Sequence, residues 1–341
     1  MKLISFTVPC YNSREYMEKC VDSLLTGGDD VEIIIVNDGS SDDTLDIANA
    51  YAERFPDIVK VIDKENGGHG SGVNAGMRSA TGLYFKVVDS DDWLDSAALK
   101  DLIEVIKQHK ADNTLPDLYI TNFVYDKVSA EQKYVSSYEK MMPAREIIGW
   151  DRVEKFAYSH MLLMHSLMYK RDRLLESGTI LPEHTFYVDN IFAYKPLPYM
   201  KTLCYVDVDL YHYFIGRDDQ SVNKSNFIKR YDQQLRVMKC MIDAYSYNDL
   251  KKMDKHLRRY MWHAMFVILV NTVFFICAEK SKERKVALKE LWRYMKKTDR
   301  KMFNKLRYRS YVSLVNFLPW GLRSFIMNKS YDYLCKKINI G

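Results

Sequence analysis

Asp89, Asp91 and Asp92 close the run Leu83-Tyr84-Phe85-Lys86-Val87-Val88, so three carboxylates leave what reads as a buried strand. Grouped like this they repel one another and lose hydration, a cost that a divalent cation and a phosphorylated ligand relieve. Hard oxygen donors at this spacing suit Mg²⁺ or Mn²⁺ better than zinc. The alternative is structural, with Asp92 or Ser96 capping a helix that begins near Ala97.

The surrounding chain supplies the elements that place such a cluster. Leu3 to Val8 is a short apolar strand ending at Pro9-Cys10-Tyr11-Asn12, and Arg14 to Leu25 repeats apolar residues at helical spacing. Val31 to Val36 is a second strand, apolar after Glu32, which breaks at Asn37-Asp38-Gly39-Ser40-Ser41 before a helix from Thr44 to Phe55. Ile58 to Ile62 is a third, followed by Asn66-Gly67-Gly68-His69-Gly70-Ser71-Gly72 and a helix ending near Ala80. Strands alternating with helices predict a parallel, doubly wound sheet, in which ligands bind beyond the carboxyl ends of the strands. All four strands end in polar or glycine-rich loops, which the topology gathers at one edge.

Taken together, Thr7 to Asn12, Ile35 to Asp42, Asn66 to Gly76 and Asp89 to Asp92 resemble family 2 of the glycosyltransferases, whose nucleotide-sugar-binding fold is called GT-A. The likeness is close over residues 1–95 and thins beyond them. It implies an α/β fold with a mostly parallel, doubly wound sheet flanked by helices, and an inverting transfer from a nucleotide-sugar, most simply a UDP-sugar. By resemblance Pro9 and Tyr11 line the uridine pocket, Asp89 and Ser90 face the nucleotide, and Asp91, with Asp89, holds Mn²⁺ or Mg²⁺ on the diphosphate. The residues themselves admit a second reading beside each role. Tyr11 is either a platform for a base or a core tyrosine. Asp38 either accepts from a pyrimidine N–H, with Gly39 allowing close approach, or belongs to a turn and cap segment. In the glycine-rich loop, bare N–H groups beside a helix N-terminus favour negative charge. Asn66, Gly68 and Asn74 match the family pattern there, whereas Gly70, Gly72 and Val73 replace its serine, alanine and arginine. His69, Ser71 and Arg78 are the groups available to replace that arginine.

An acceptor hydroxyl must lose a proton as its oxygen attacks the anomeric carbon. The family's Glu-Asp pair falls at Val188-Asp189, so by resemblance Asp189 is the base, with Glu183 and His184 nearby; otherwise Asp189 only caps the helix expected to run to about Leu197. Tyr211 to Ser221 resembles the family's mobile loop, in which Arg217 and Ser221 close over the diphosphate; the plain reading is a surface pair of Arg217 with Asp218 or Asp219.

Residues 1–225 are the expected catalytic domain and 226–341 a helical module. The net charge of +5 hides a division between them. Residues 1–250 carry 28 Lys and Arg against 39 Asp and Glu, a net of −11, and residues 251–341 carry 22 against 6, a net of +16. Helical patterning runs from Asp249 to Ala278, from Glu283 to Lys297 and on both sides of Pro319. Met261 to Ala278 is free of formal charge, but basic residues on both flanks oppose a membrane crossing. Leu314, Val315, Leu318, Trp320, Leu322 and Phe325 interleave with Arg307, Arg309, Arg323 and Lys329, as in helices lying on an anionic membrane surface. Six cysteines without paired spacing, and a first strand too short for a signal peptide, lead to the expectation of a cytoplasmic enzyme, peripheral on the inner membrane face. A glycan, a polyol phosphate polymer or a lipid-linked acceptor fits such a place. No nucleic-acid-binding motif accompanies the basic charge. The rival readings are a nucleotidyltransferase, which wants a basic glycine-rich loop after the first strand, and a degenerate, membrane-bound scaffold.

Overall fold

Continuous apolar runs become fully buried strands, because helices cover both faces of the sheet they form. In the computed structural model the described residues are 1–127, 133–158, 160–215, 224–310 and 312–338, without the side chains of 224, 225, 227 and 330–338. The strands are β1 (Ile4–Cys10), β2 (Val31–Asp38), β3 (Val59–Lys64), β4 (Tyr84–Val87), β5 (Trp93–Leu94), β6 (Leu118–Lys127), β7 (Tyr134–Ser136), β8 (Ile147–Gly149), β9 (Leu167–Lys170) and β10 (Thr202–Ile215). Helices α1 (Met17–Leu25), α2 (Thr44–Arg54), α3 (His69–Ser79), α4 (Ser96–Ala111), α5 (Arg171–Glu176) and α6 (Asp189–Phe192) complete the first of two compact units, residues 1–217.

The sheet order is β3-β2-β1-β4-β9-β6-β10-β5. Its first four strands are parallel, as the alternation predicts, and β6 and β10 form a second parallel pair. Between these halves β9 lies antiparallel to β4 and to β6. Helix α3 packs against β1 and β2. Gly76 is where it comes closest: a Cβ there would stand 2.2 Å from the Thr7 side chain.

The buried Glu32 of β2 staples the entry to β4. It accepts hydrogen bonds from Ser5 Oγ, from the N–H of Thr81 and Gly82, and from Thr81 Oγ1, and pairs with Lys60 at 2.9 Å. Lys86, fully buried in β4, donates to the carbonyls of His165 (2.5 Å) and Leu167 (3.4 Å).

The second unit, residues 218–341, is helical: α7 (Lys224–Lys229), α8 (Tyr231–Ala244), α9 (Tyr247–Lys252), α10 (Lys255–Cys277), α11 (Lys282–Thr298), α12 (Arg300–Tyr308), α13 (Ser313–Asn316) and α14 (Trp320–Ile338). The single helix expected from Asp249 to Ala278 is two. Asp254 accepts from the N–H of His256 and Leu257, so a new helix starts there. Among the described residues α10 alone is long and apolar enough to cross a membrane, and 72% of its most apolar window is buried. It packs against α8, α11 and α14.

Candidate active site

The polar ends of the first four strands meet at one edge, and the loops there are tied together by backbone contacts. Asp38, 3% exposed at the end of β2, accepts from the N–H of Gly67 (3.0 Å) and Gly68 (2.7 Å) and pairs with Lys64 at 2.6 Å. It therefore shapes the glycine-rich loop from within. The exposed Asn66 donates to the Asp38 carbonyl at 2.9 Å, and Gly39, at φ 70°, leaves room for it. Gly68 has φ 82° and lies against His184, where a Cβ would come within 3.1 Å of the His184 nitrogen.

Asn74 is buried and binds Leu181 twice, donating to its carbonyl (2.8 Å) and accepting from its N–H (2.9 Å). The His184 N–H donates to the Gly67 carbonyl at 2.6 Å, and Ser71 Oγ donates to Glu183 at 3.3 Å. The segment that leads to Asp189 is thus laced onto the glycine-rich loop. This explains two departures from the family pattern. A Cβ on Gly70 would sit 2.7 Å from the Pro182 carbonyl oxygen, and one on Gly72 would sit 3.0 Å from the Pro9 side chain. Val73 is wholly buried, a place where a guanidinium would lack water.

His69 faces the carboxylates instead. Its Nε2 stands 2.8 Å from Asp89 Oδ1. Burial works against an imidazolium here, but the charge and hydrogen bond of Asp89, with further attraction from Asp189 and Asp91, raise its pKa above the ordinary value. Burial also opposes the Asp89 charge, but the charge and hydrogen bond of His69 are the largest of the contributions that outweigh it, so the Asp89 pKa is lowered. Asp189 is the first residue of α6 and not its cap; Val188 holds that position and makes no side-chain cap bond. Burial pushes the Asp189 carboxyl up to about 6, His69 lowers it and Asp89 adds to the rise. Helix α6 ends at Phe192, short of the expected Leu197, because Pro196 and Pro198 cannot donate to a continuing ladder.

Asp92 does not cap α4, nor does Ser96. Asp95 does, accepting from the N–H of Ala97 (2.9 Å) and Ala98 (2.8 Å). Asp92 is buried and committed elsewhere: Tyr211 donates to Oδ2 at 2.5 Å and the Phe214 N–H to Oδ1 at 2.8 Å. Burial, then the charges of Asp91 and Asp89, hold its pKa well above the usual carboxylate range. It fastens β10 to the acidic turn.

His165 was not legible as a site residue. It is buried between Tyr211 and Tyr213, and its Nδ1 has no hydrogen-bond partner. Burial pushes its pKa down to about 4, so the ring is neutral. Donor atoms of Asp89, Asp92 and His165 lie within 4.8 Å of one another. The two oxygens of Asp92 are engaged by β10, whereas Asp89 and Asp91 are both partly exposed on the same turn, as ligands of a hard cation would be.

Of the remaining predicted residues, Pro9 is buried at the end of β1, and Ser90 Oγ meets Ser13 Oγ at 2.8 Å. Tyr11 is 57% exposed, which removes the core reading. Arg217 and Ser221 lie outside the described residues.

A parallel β-α-β half with an acidic turn beyond its fourth strand, and a helical unit following it, is the architecture of nucleotide-sugar glycosyltransferases of the GT-A type. Residues 5–171 match the model of glycosyl transferase family 2, and the chain belongs to that family. EpsH of Bacillus subtilis (strain 168) is 29% identical over 237 residues, 68% of this chain and 64% of EpsH. The poly(ribitol-phosphate) beta-glucosyltransferase of Bacillus spizizenii is 38% identical over 120 residues, 34% of this chain and 19% of that protein. The chain therefore spans less than two thirds of either relative. Residues 1–349 of TarS from S. aureus, solved in complex with UDP-GlcNAc, superpose with a TM-score of 0.64 at 20% identity, covering 98% of this chain and 92% of that one.

Proposed function

We propose that the protein is a metal-dependent, inverting glycosyltransferase that moves a hexosyl or N-acetylhexosaminyl group from a UDP-sugar to a hydroxyl of a cell-surface glycan, a polyol phosphate polymer or a lipid-linked acceptor. The observation that carries this reading is the convergence of His69, Asp89, Asp91 and Asp189 at the loop edge of a family 2 sheet. The UDP-GlcNAc of the TarS complex and the ribitol phosphate polymer in the name of the Bacillus spizizenii relative support the donor and acceptor classes.

Asp189, with its carboxyl near 6, is ionised at neutral pH yet basic enough to take the acceptor proton. The acceptor oxygen bonds to the anomeric carbon as the bond to the diphosphate breaks, and the nucleoside diphosphate leaves with that electron pair. Asp89 and Asp91 would hold Mn²⁺ or Mg²⁺, and the chemistry such an ion supplies is Lewis-acid stabilisation of the departing diphosphate. His69, whose pKa is raised beside Asp89, stands in the place of the arginine that the buried Val73 cannot provide. Tyr11 offers its exposed ring to the base. Asp38, Gly39, Asn66 and Gly68 bound the nucleotide side, and Asn74 positions the Asp189 segment through Leu181. The basic second unit attaches the enzyme to the inner face of the cell membrane by its charge and by the exposed Leu314, Phe317, Leu322 and Phe325.

The test is nucleotide release from UDP-, GDP- and dTDP-sugars with Mn²⁺. Release is expected from a UDP-sugar and falls by about a hundredfold or more in an Asp91→Asn variant that thermal melting shows to be folded. Asp92→Asn lowers the melting temperature instead, since it disturbs the bonds to Tyr211 and Phe214. No release from any donor, or undiminished release by Asp91→Asn, refutes the assignment.

A further inference from the structure

Helices α11, α12 and α14 and the turn before Pro319 line a half-open cavity of about 330 Å³ in the second unit, with Lys285 and Lys289 exposed at its rim. That is within the size range of small-molecule sites, roughly 300–1,000 Å³. Four of its nine lining residues are cations, Lys285, Lys289, Arg307 and Arg323, and none is acidic. No ion pair engages any of the four among the described residues. Burial, then repulsion from Arg323, lowers the Arg307 pKa, as expected of charges gathered without a counter-ion.

The walls between these cations are aromatic and apolar. The Arg307 guanidinium lies 4.7 Å from the centre of the Trp292 ring, and that of Arg323 lies 5.9 Å from Trp320. Three buried donors on residues that line the cavity have no hydrogen-bond partner: Trp292 Nε1, Trp320 Nε1 and Arg307 Nη1. Buried polar atoms in folded proteins are nearly always satisfied, so three orphaned N–H groups beside four unpaired cations mark these walls as unusually rich in donors without acceptors. Arg323 is fixed in place by the carbonyls of Val315 (2.9 Å), Asn316 (2.6 Å) and Leu318 (3.1 Å). Its charge is therefore presented by a rigid frame.

We propose that this cavity binds the phosphate headgroup of an anionic membrane lipid. A phosphate offers the negative charge and the acceptor oxygens that the four cations lack. A lipid is favoured over a soluble phosphate ester by what surrounds the cavity. Leu314 is 81% exposed, Phe317 69%, Phe325 56% and Leu322 47%, all on the segment that supplies Leu318, Trp320 and Arg323 to the walls. A soluble ligand would leave these side chains in water, whereas an acyl layer covers them. The proposal rests on the membrane attachment argued above and adds to it a defined headgroup site.

The full chain is floated with phosphatidylcholine vesicles, with and without phosphatidylglycerol. Lys285→Gln/Lys289→Gln should weaken binding to the anionic vesicles about thirtyfold, while Lys251→Gln/Lys252→Gln, on α9, changes it less than about threefold. Leu318→Trp fills the cavity and keeps every charge, and should weaken binding about tenfold. Thermal melting confirms that each variant is folded, and the exposed lysine pair serves if Leu318→Trp is not. Equal loss in the two lysine pairs, or unchanged binding by a folded Leu318→Trp, overturns the headgroup site and leaves diffuse attachment intact. No wild-type binding to anionic vesicles overturns both. Displacement from vesicles by soluble glycerol phosphate, with unchanged vesicle binding in Leu314→Ser/Phe317→Ser, assigns the cavity to a soluble phosphate ester and overturns the lipid.

Discussion

Asp189 and His69 form a pair whose charges can be tested against each other. The carboxyl of Asp189 is raised to about 6, chiefly by burial, and His69 is the group that lowers it. A base works only when deprotonated, so kcat/KM should rise about tenfold per pH unit below that value and level off above it. In Asp189→Asn the rate should fall by about 10²- to 10⁴-fold and the rising limb should vanish. Removing the imidazole in His69→Gln takes away the group that lowers the Asp189 pKa, so the limb moves to higher pH. The profile is measured by nucleotide release under saturating and limiting donor. A limb that stays in place in His69→Gln would show that this imidazole does not sense Asp189, and one that persists in Asp189→Asn would assign the base elsewhere.

Elements deliver these residues, and β4 depends on a carboxylate that takes no part in the chemistry. Burial opposes the Glu32 charge, but hydrogen bonds from Ser5 and from the Thr81 N–H, with Lys60, outweigh it and bring the pKa down to about 2. A folded-state value below the unfolded one adds stability at pH values above about 4.5, and this is lost as pH falls through about 2, on the order of 3 kcal/mol in all. Chemical denaturation should show Glu32→Gln less stable than the wild type at pH 7, with the gap closing towards pH 2; a gap independent of pH would rule out this linkage. Much of this half was legible in the sequence. β1 to β4 are apolar runs stopped by Asn, Asp or Gly, and short-range signals of that kind survive folding. The rest depends on distant partners. Asp92 reads as a helix cap until Tyr211 and Phe214, 119 and 122 residues away, claim its oxygens. His165 sits in Leu163-Met164-His165-Ser166, which carries no motif, and becomes a neighbour of Asp89 only because β9 inserts antiparallel between β4 and β6. Val73 and Gly70 depart from the family pattern for reasons of packing against the sheet and Pro182, which composition cannot reveal.

Over the whole molecule, the division between −11 in residues 1–250 and +16 in residues 251–341 means that an anionic surface repels one stretch and attracts the other. Two kinds of membrane attachment are compatible with such a chain, and they respond oppositely to extraction. If α10 crossed the bilayer, neither salt nor alkaline carbonate would release the protein, since a spanning helix is held by its apolar length alone. The helix has a mean hydropathy of 1.8 over its most apolar window, but most of that window is already buried. His263, Asn271 and Thr272 lie along it, and Thr272 is bonded to the Ile268 carbonyl and to Gln234 within that unit. Exposing the helix to lipid would strip away α8, α11 and α14, whose apolar faces would then meet water. Attachment by basic side chains instead weakens as ions screen it, with a Debye length of about 10 Å at 0.1 M salt and about 3 Å at 1 M. Membranes isolated from cells that express the full chain should therefore release it into alkaline carbonate, and rising salt should release a growing fraction, the remainder being held by Leu314, Phe317 and their neighbours. Retention of the protein in carbonate-washed membranes would mean that α10 leaves its unit and spans the bilayer.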